Sequence, residues 1–479
     1  MEEYMITDFD TKLQDFPKLN IRQLTFPIES VSNEINSLLA QQVNIFNELE
    51  RDLILSDARS LGNRVHFQNS PNTPVQRWFP YREGYSVDLV NKFIDELKIQ
   101  GSVFDPFSGS GTTLLSSRLK SIPSIGIDVN PISVMVARAE NEQYGDKDVV
   151  EFTAYYNELL RLERDSKKYS TNFDLANKVF NEEILQSLLQ IREFIKRISN
   201  EKVGRLFFIT WLAIIEGVSN VKKEGNGIKY KNRKRTPSGY INIDKEEWEK
   251  SVFPDDKFEF VKKKLTTKLI EIKDDIVFNF GPSSEKPQIY HGDCLEFDQL
   301  FNEGIELTFF SPPYCNCFDY FEIHKVELWL GEFVTTKEEM KELRNGGFRS
   351  NTNSIKDKEI VYRNNSLEML INLFDNDKLW SKRIPDVVRG YFDDMHTLLN
   401  KLFIRTNTGG YVSIVVGNSA YTGVIIPTDI LIANIAREVG FIVENIFVTR
   451  HLTTSSQQKQ KLEHLKDYLR ESVILLRKE

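Results

Sequence analysis

The sequence predicts an α/β fold: a seven-stranded, doubly wound sheet interrupted by two long, largely helical segments. Two observations predict it. Short apolar runs alternate with stretches of helical periodicity, as in SVFDPF, GTTLLSSRLK, SIGIDV and PISVMVARAENE within residues 102–142. Strand–helix–strand at this spacing makes a parallel pair with a right-handed crossover. The alternation then stops near residue 143, resumes near 286 and breaks again over 334–386, while no internal repeat appears.

The elements follow in order. Residues 1–76 read as a helical arm, with SVSNEINSLLAQQVNIFNELERDLILS amphipathic enough for a packing arm or a subunit contact. Within it and just beyond, 61–85 is loop-like, with three prolines among polar turn residues. The first part of the core spans 77–142, opened by the helix SVDLVNKFIDELKI with Ser86 as N-cap, and with Pro131 in the first turn of a later helix. Residues 143–285 are mostly helical and highly charged around the apolar stretch VGRLFFITWLAIIEGVS, which is too short and interrupted to cross a membrane. PQIYHGD and IELTFFSPPY lie in the second core part, 286–333, before the polar insertion 334–386. GGYVSIVVGNS, FIVENIFVTR and SVILLRK are the strands of the third part, 387–479.

Composition excludes several classes. Of 479 residues, 40% are hydrophobic and 28% charged, which rules out a mainly disordered chain. Three cysteines cannot make a disulfide framework, the six histidines lack metal-site spacing, and MEEYMITDFDTK lacks a basic-then-apolar signal. A cytoplasmic protein with no metal and no membrane partner is the expectation. The net charge of −8 argues against a general polycation but leaves room for a local basic patch.

Four features carry chemistry. In DPFSGSGTT, Asp105–Thr113, Gly109 and Gly111 allow a tight turn and close approach to a ligand. The helix opened by Thr112 offers free N–H groups to an anionic group such as a carboxylate. The Gly-Lys-Ser/Thr ending of a phosphate loop is missing. Asp128 follows Asp105 by 23 positions, where an acid can hold ribose hydroxyls or cap the helix that Pro131 opens. Asp293, in HGDCLEF, again stands at the carboxyl end of a strand. Ser311, Pro312, Pro313 and Tyr314 form SPPY. The prolines stiffen a chain that presents a hydroxyl and carbonyls beside an aromatic face, which suits a flat ring with an exocyclic amine.

DPFSGSGTT, GIDVNP, HGD and SPPY, in this order, resemble the S-adenosylmethionine-dependent amino-methyltransferases of DNA. The resemblance covers 77–142, 286–333 and 387–478, and implies a Rossmann-like class I methyltransferase fold. RWFPYREGYSVDLV is similar to that family's methionine-side motif, and VVGNSAYTGVIIPTD and HLTTSSQQ to later segments. The resemblance implies that Phe107, Gly109 and Gly111 line the methionine part of the cofactor, with Asp105 and Thr112 of the same motif also cofactor-binding, that Asp128 holds its ribose and that Asp293 meets its adenine amine. SPPY is similar to the version typical of N4-cytosine enzymes, which implies double-stranded DNA with a flipped cytosine as substrate and a cognate restriction or defence protein as partner. The larger insertion falls between the second and third motif blocks and the other follows SPPY. Both depart from the family's usual arrangements, and either is a candidate for target reading.

Two further features bear on rival readings. Cys315 and Cys317 directly follow SPPY, and a thiolate there would serve a C5-cytosine enzyme. The Pro-Cys of that chemistry is absent, so packing is the expected role. Within VKKEGNGIKYKNRKR, seven cations (Lys222, Lys223, Lys229, Lys231, Arg233, Lys234 and Arg235) stand against one glutamate. The stretch reads as a solvated loop or as a phosphate-binding loop that orders on DNA. N6-adenine methylation and a DNA-binding module without turnover complete the alternatives.

Overall fold

The computed structural model describes residues 11–19, 32–65, 74–81, 84–225, 227–236, 239–277, 285–355, 359–453 and 459–479. Fourteen strands occur among them. In chain order they are β1 (Leu55–Asp57), β2 (Val103–Asp105), β3 (Ser124–Asp128), β4 (Val221–Glu224), β5 (Gly227–Tyr230), β6 (Arg233–Thr236), β7 (Gly239–Asn242), β8 (Gln288–His291), β9 (Ile305–Phe310), β10 (Thr406–Gly417), β11 (Ser419–Tyr421), β12 (Val424–Ile426), β13 (Ile442–His451) and β14 (Arg470–Arg477).

Eight of them form the central sheet, in the order β1-β13-β14-β10-β9-β2-β3-β8. Every neighbouring pair is parallel except those of β14, which runs antiparallel to β10 and β13. The chain lays β2, β3 and β8 outward to one edge, then returns to place β9 on the other side of β2. That reversal opens a crevice at the carboxyl ends of β2 and β9, where ligands of open α/β sheets bind. Near-continuous apolar runs such as IELTFF and the VSIVV of β10 suit strands covered on both faces, and their residues are buried almost throughout.

All seven strands expected from sequence are present, and an eighth, β1, comes from the N-terminal arm, expected to be helical. β1 pairs with β13, Leu55 opposite Ile446 and Asp57 opposite Val448. Three residues, LSD, are too few to show a period in sequence. What creates the strand is the open edge of β13, whose unpaired backbone groups need partners. The helix Asn33–Leu49 also belongs to this body: Leu39, Val43, Phe46 and Leu49 are buried in the main core. Its buried Gln42 fastens it to the β11–β12 hairpin, accepting from Ile425 N at 2.8 Å and donating to the Gly423 carbonyl at 3.2 Å.

Residues 143–285 hold the helices Asp146–Leu160, Glu182–Ile195, Glu201–Ile214, Lys245–Val252 and Lys257–Val277. Phe152, Leu206, Phe207, Trp211 and Leu265 share one core with Ile132 and Val136 of the helix Pro131–Glu140 and with Trp329 after SPPY. The segment is therefore packed onto the sheet domain rather than hung from it. No helix among the described residues is long and apolar enough to cross a membrane. The basic stretch, expected as a loop, is built instead as two hairpins, β4–β5 and β6–β7. Residues 334–386 carry the short helices Lys337–Asn345 and Asn365–Asn372. Between them, Arg349 is buried and forks onto Asp394 and Asp393 of the long helix Ile384–Arg405.

Candidate active site

A cavity of about 320 Å³ opens at the crevice between β2 and β9. Its floor and walls combine the turn after β2, the end of β3, the SPPY loop after β9 and a stretch of the second insertion.

The turn after β2 is built from its acids and glycines. Asp105, 1% exposed, lies beneath it and accepts from Phe107 N and from the Tyr85 hydroxyl, both at 3.0 Å. Burial pushes its carboxyl up to about 7 despite those hydrogen bonds. Asp105 thus props the turn from below and is not part of the wall. Gly109 has φ +50, and a Cβ there would stand 2.9 Å from the Tyr81 ring, so glycine lets that ring close over the turn. Gly111 has φ +91 and N-caps the helix Thr112–Leu119. Its missing Cβ makes room for Asn141 and Ala137, at 2.7 and 3.0 Å, rather than for a ligand. Phe107, Gly109 and Thr112 line the cavity, whereas the constraint at Gly111 comes from packing. Ser108 also lines the cavity. Its hydroxyl oxygen is buried without a hydrogen-bond partner among the described residues.

Asp128 ends β3 and faces the cavity. One carboxylate oxygen accepts from Gly109 N at 2.9 Å and the other from Asn130 N at 2.7 Å. Burial raises its carboxyl to about 6. The helix Pro131–Glu140 is capped by Asn130, which accepts from Ile132 N at 3.0 Å; Asp128 stands two residues too early to be its cap. Asp293 caps the short 3-10 helix Cys294–Gln299 by accepting from Leu295 N at 2.9 Å. At that point the residue lining the cavity is Cys294.

All four SPPY residues line the cavity. The Tyr314 hydroxyl donates to Glu471 of β14, which the Arg450 guanidinium holds in turn. Cys315 and Cys317 turn away into the core, where burial raises both thiols. Tyr421 ties this bend, donating to the Cys315 carbonyl at 2.7 Å with its oxygen 3.4 Å from the Cys317 sulfur. Neither cysteine offers a thiolate to the cavity.

Several walls escaped the sequence. Phe107 stacks on Phe310 at 5.6 Å and meets Phe348 edge-on at 5.4 Å, and Phe348, Ser350 and Asn351 bring the second insertion into the site. Tyr81 stacks on His324 at 6.2 Å, and His324 Nδ1 lies 3.1 Å from the Lys223 ammonium. These residues come from distant parts of the chain and no local period marks them.

The basic hairpins divide by exposure. Lys223 is buried in an ion pair with Glu327 at 2.7 Å, and Lys231 donates to the Ser219 carbonyl at 2.9 Å and to that of Glu216. Both ammonium groups, expected on phosphates, are engaged by the protein itself. Lys222 and Lys229 share the exposed Glu224, Arg233 stacks over Tyr240 at 4.3 Å, and Lys234 is exposed. The Arg235 side chain lies outside the described residues, as do Arg82 and Glu83 of the RWFPYREGY segment and much of HLTTSSQQ. Among the described residues no group of three His, Cys, Asp or Glu is arranged to hold a metal ion.

No family model matches the chain. It is 27% identical over 439 residues to the Type II methyltransferase M.AvaI of Nostoc sp., covering 86% of this chain and 88% of that protein. With M.BsoBI of Geobacillus stearothermophilus, also a Type II methyltransferase, it shares 26% identity over 434 residues, 82% of this chain and 84% of that one. Similarity to the Type II methyltransferase M.MvaI of Kocuria varians is 23% over 374 residues, 74% and 77% of the two chains. The chain is thus similar to Type II methyltransferases over most of its length. An 86% match necessarily takes in much of the segment 143–285.

Proposed function

We propose that the chain methylates the exocyclic N4 of cytosine in double-stranded DNA, with S-adenosylmethionine as donor, as the modifying half of a restriction–modification system. The observation that carries this reading is the meeting of Ser311–Tyr314 with Phe107–Gly109 and Asp128 around one cavity at the sheet's reversal point. The Type II methyltransferase relatives support methyl transfer.

The residues fit the cofactor. Ser108 presents a buried, unpartnered hydroxyl, Gly109 lets the Tyr81 ring close over the turn, and each Asp128 oxygen keeps a lone pair for a ribose hydroxyl. Phe107 and Tyr81 supply the apolar faces. When bound, S-adenosylmethionine supplies an electrophilic methyl group. The chain's own task is on the acceptor. The Ser311 hydroxyl and the Pro312 carbonyl accept hydrogen bonds from the amine and turn its lone pair out of conjugation with the ring. Tyr314 stacks on the base once it has left the duplex. Alignment of the two reactants provides much of the acceleration, and no covalent enzyme intermediate is needed. The buried Cys315 and Cys317 disfavour the C5 mechanism, which requires a thiolate at the base.

The test is incubation with labelled S-adenosylmethionine and duplex DNA, followed by nucleoside mass analysis. Label in N4-methyldeoxycytidine is expected. Label in N6-methyldeoxyadenosine or 5-methyldeoxycytidine would replace the proposed acceptor, and binding without label would leave a DNA-binding module.

A further inference from the structure

We infer that Glu471 is a positioning residue for the acceptor base, acting through Tyr314 with Arg450 behind it. This rests on the reading of Ser311–Tyr314 as the acceptor loop. Three adjacent strands meet in one rung: Gly417 of β10 lies opposite Glu471 of β14, and Glu471 opposite Arg450 of β13. Residues directly opposed in antiparallel strands project to the same face. On that face Gly417 leaves a gap that the Tyr314 ring fills, since a Cβ at 417 would stand 2.7 Å from its Cε2. The Glu471 carboxylate, in a residue 2% exposed, accepts the Tyr314 hydroxyl. Arg450 grips the same carboxylate with Nε and, at 3.2 Å, with its terminal nitrogen. Gly417, Glu471 and Arg450 are placed by strand register, the loop after β9 brings Tyr314 onto them, and Tyr314, Glu471 and Arg450 border the cavity itself.

The sheet does not need this cluster to hold together. The rung is the last pair of the β10–β14 ladder, whose six other pairs hold without it, and β13 pairs with β14 on both sides of it; apolar residues of similar size also often replace a buried ion pair without loss of stability. What the cluster achieves is a fixed ring. Held by its hydroxyl and backed along its edge by Gly417, the phenol keeps one plane and presents one face to a flat acceptor. A site held to within a fraction of an ångström in this way needs such support behind its contacting residues.

The test is a double-mutant cycle on the full-length chain with duplex DNA and S-adenosylmethionine, using E471Q, Y314F and the pair. E471Q is expected to lower kcat about five- to fiftyfold, the scale of a lost charge-assisted hydrogen bond. KM for DNA and cofactor Kd by calorimetry should stay near wild type. In the Y314F background E471Q should have no further effect on kcat. Should E471Q fail to fold, R450K replaces it in the cycle, because it loosens the grip on the carboxylate and leaves the charge paired. Full kcat in E471Q, effects that multiply with Y314F, or a loss confined to Tm and cofactor Kd would overturn the role while the acceptor-loop reading stands. Absence of methyl transfer by the wild-type chain would overturn both.

Discussion

Asp105 and Asp128 end adjacent strands, yet burial gives them different duties. Asp128 meets the cavity, whereas Asp105 is sealed beneath the turn, with its carboxyl raised from 3.8 to about 7. Between those two values the folded chain holds a proton that the unfolded chain has released. Stability from this site therefore falls as pH rises from about 4 to about 7, the reverse of a salt-bridged aspartate. D105N carries no such proton, so its Tm should gain on the wild type between pH 4.5 and pH 7.5, by on the order of a few kcal/mol in stability. Parallel melting curves across that range would show that Asp105 is not held neutral. Asp128 was legible from its spacing and the glycines from their turn. Tyr81 and Ser108 lay inside recognisable motifs without being singled out, and Phe348 and Glu471 were not legible at all, because nothing local distinguishes them until folding brings them to the cavity.

At the scale of elements, the hairpins β4–β5 and β6–β7 decide which basic residues can reach DNA. Charge in the sequence marked the stretch but did not separate its two sides. Lys223 points inward to Glu327, and Lys231 holds the carbonyls of Glu216 and Ser219. Replacing Lys229, Arg233 and Lys234 together by alanine should reduce the slope of log K against log salt by about three, close to one per phosphate contact. Target and nontarget DNA should weaken alike, since phosphate contacts position and base contacts specify. K231A should instead lower Tm and leave the slope alone. Fluorescence titration at several salt concentrations decides. An unchanged slope in the triple variant would leave the hairpins as a solvated surface.

Across the whole molecule, the N-terminal arm closes the sheet. β1 covers the edge of β13, and Glu50, at the end of the preceding helix, reaches Arg470 of β14, which is itself paired with Asp429 at 2.8 Å. The four apolar side chains Leu39, Val43, Phe46 and Leu49 enter the main core. At roughly 1.5–3 kcal/mol each, their loss approaches the entire stability of an ordinary domain. A chain lacking residues 1–57 should therefore aggregate or melt far below the full-length protein, its bare β13 edge inviting other strands. A monomeric elution profile with an unchanged Tm would mean that the arm is dispensable.

The sequence by itself determined the parts whose cause is local. Seven strands follow from apolar runs, the turn after β2 from its glycines, the N-cap of the helix after Ser86 from a short hydroxyl side chain, and SPPY from two prolines that stiffen a strand exit. Tertiary structure alone decided what depends on a partner far along the chain. β1 is a strand because β13 has a free edge, and Gly111 is a glycine because Ala137 and Asn141 crowd it. The second insertion enters the site because Arg349 is anchored to Asp393 and Asp394. Tyr314 is held because the register of three strands sets Gly417, Glu471 and Arg450 in one rung. Local preference acts over a few residues, whereas a cavity wall or a buried charge pair exists only once the sheet has chosen its neighbours.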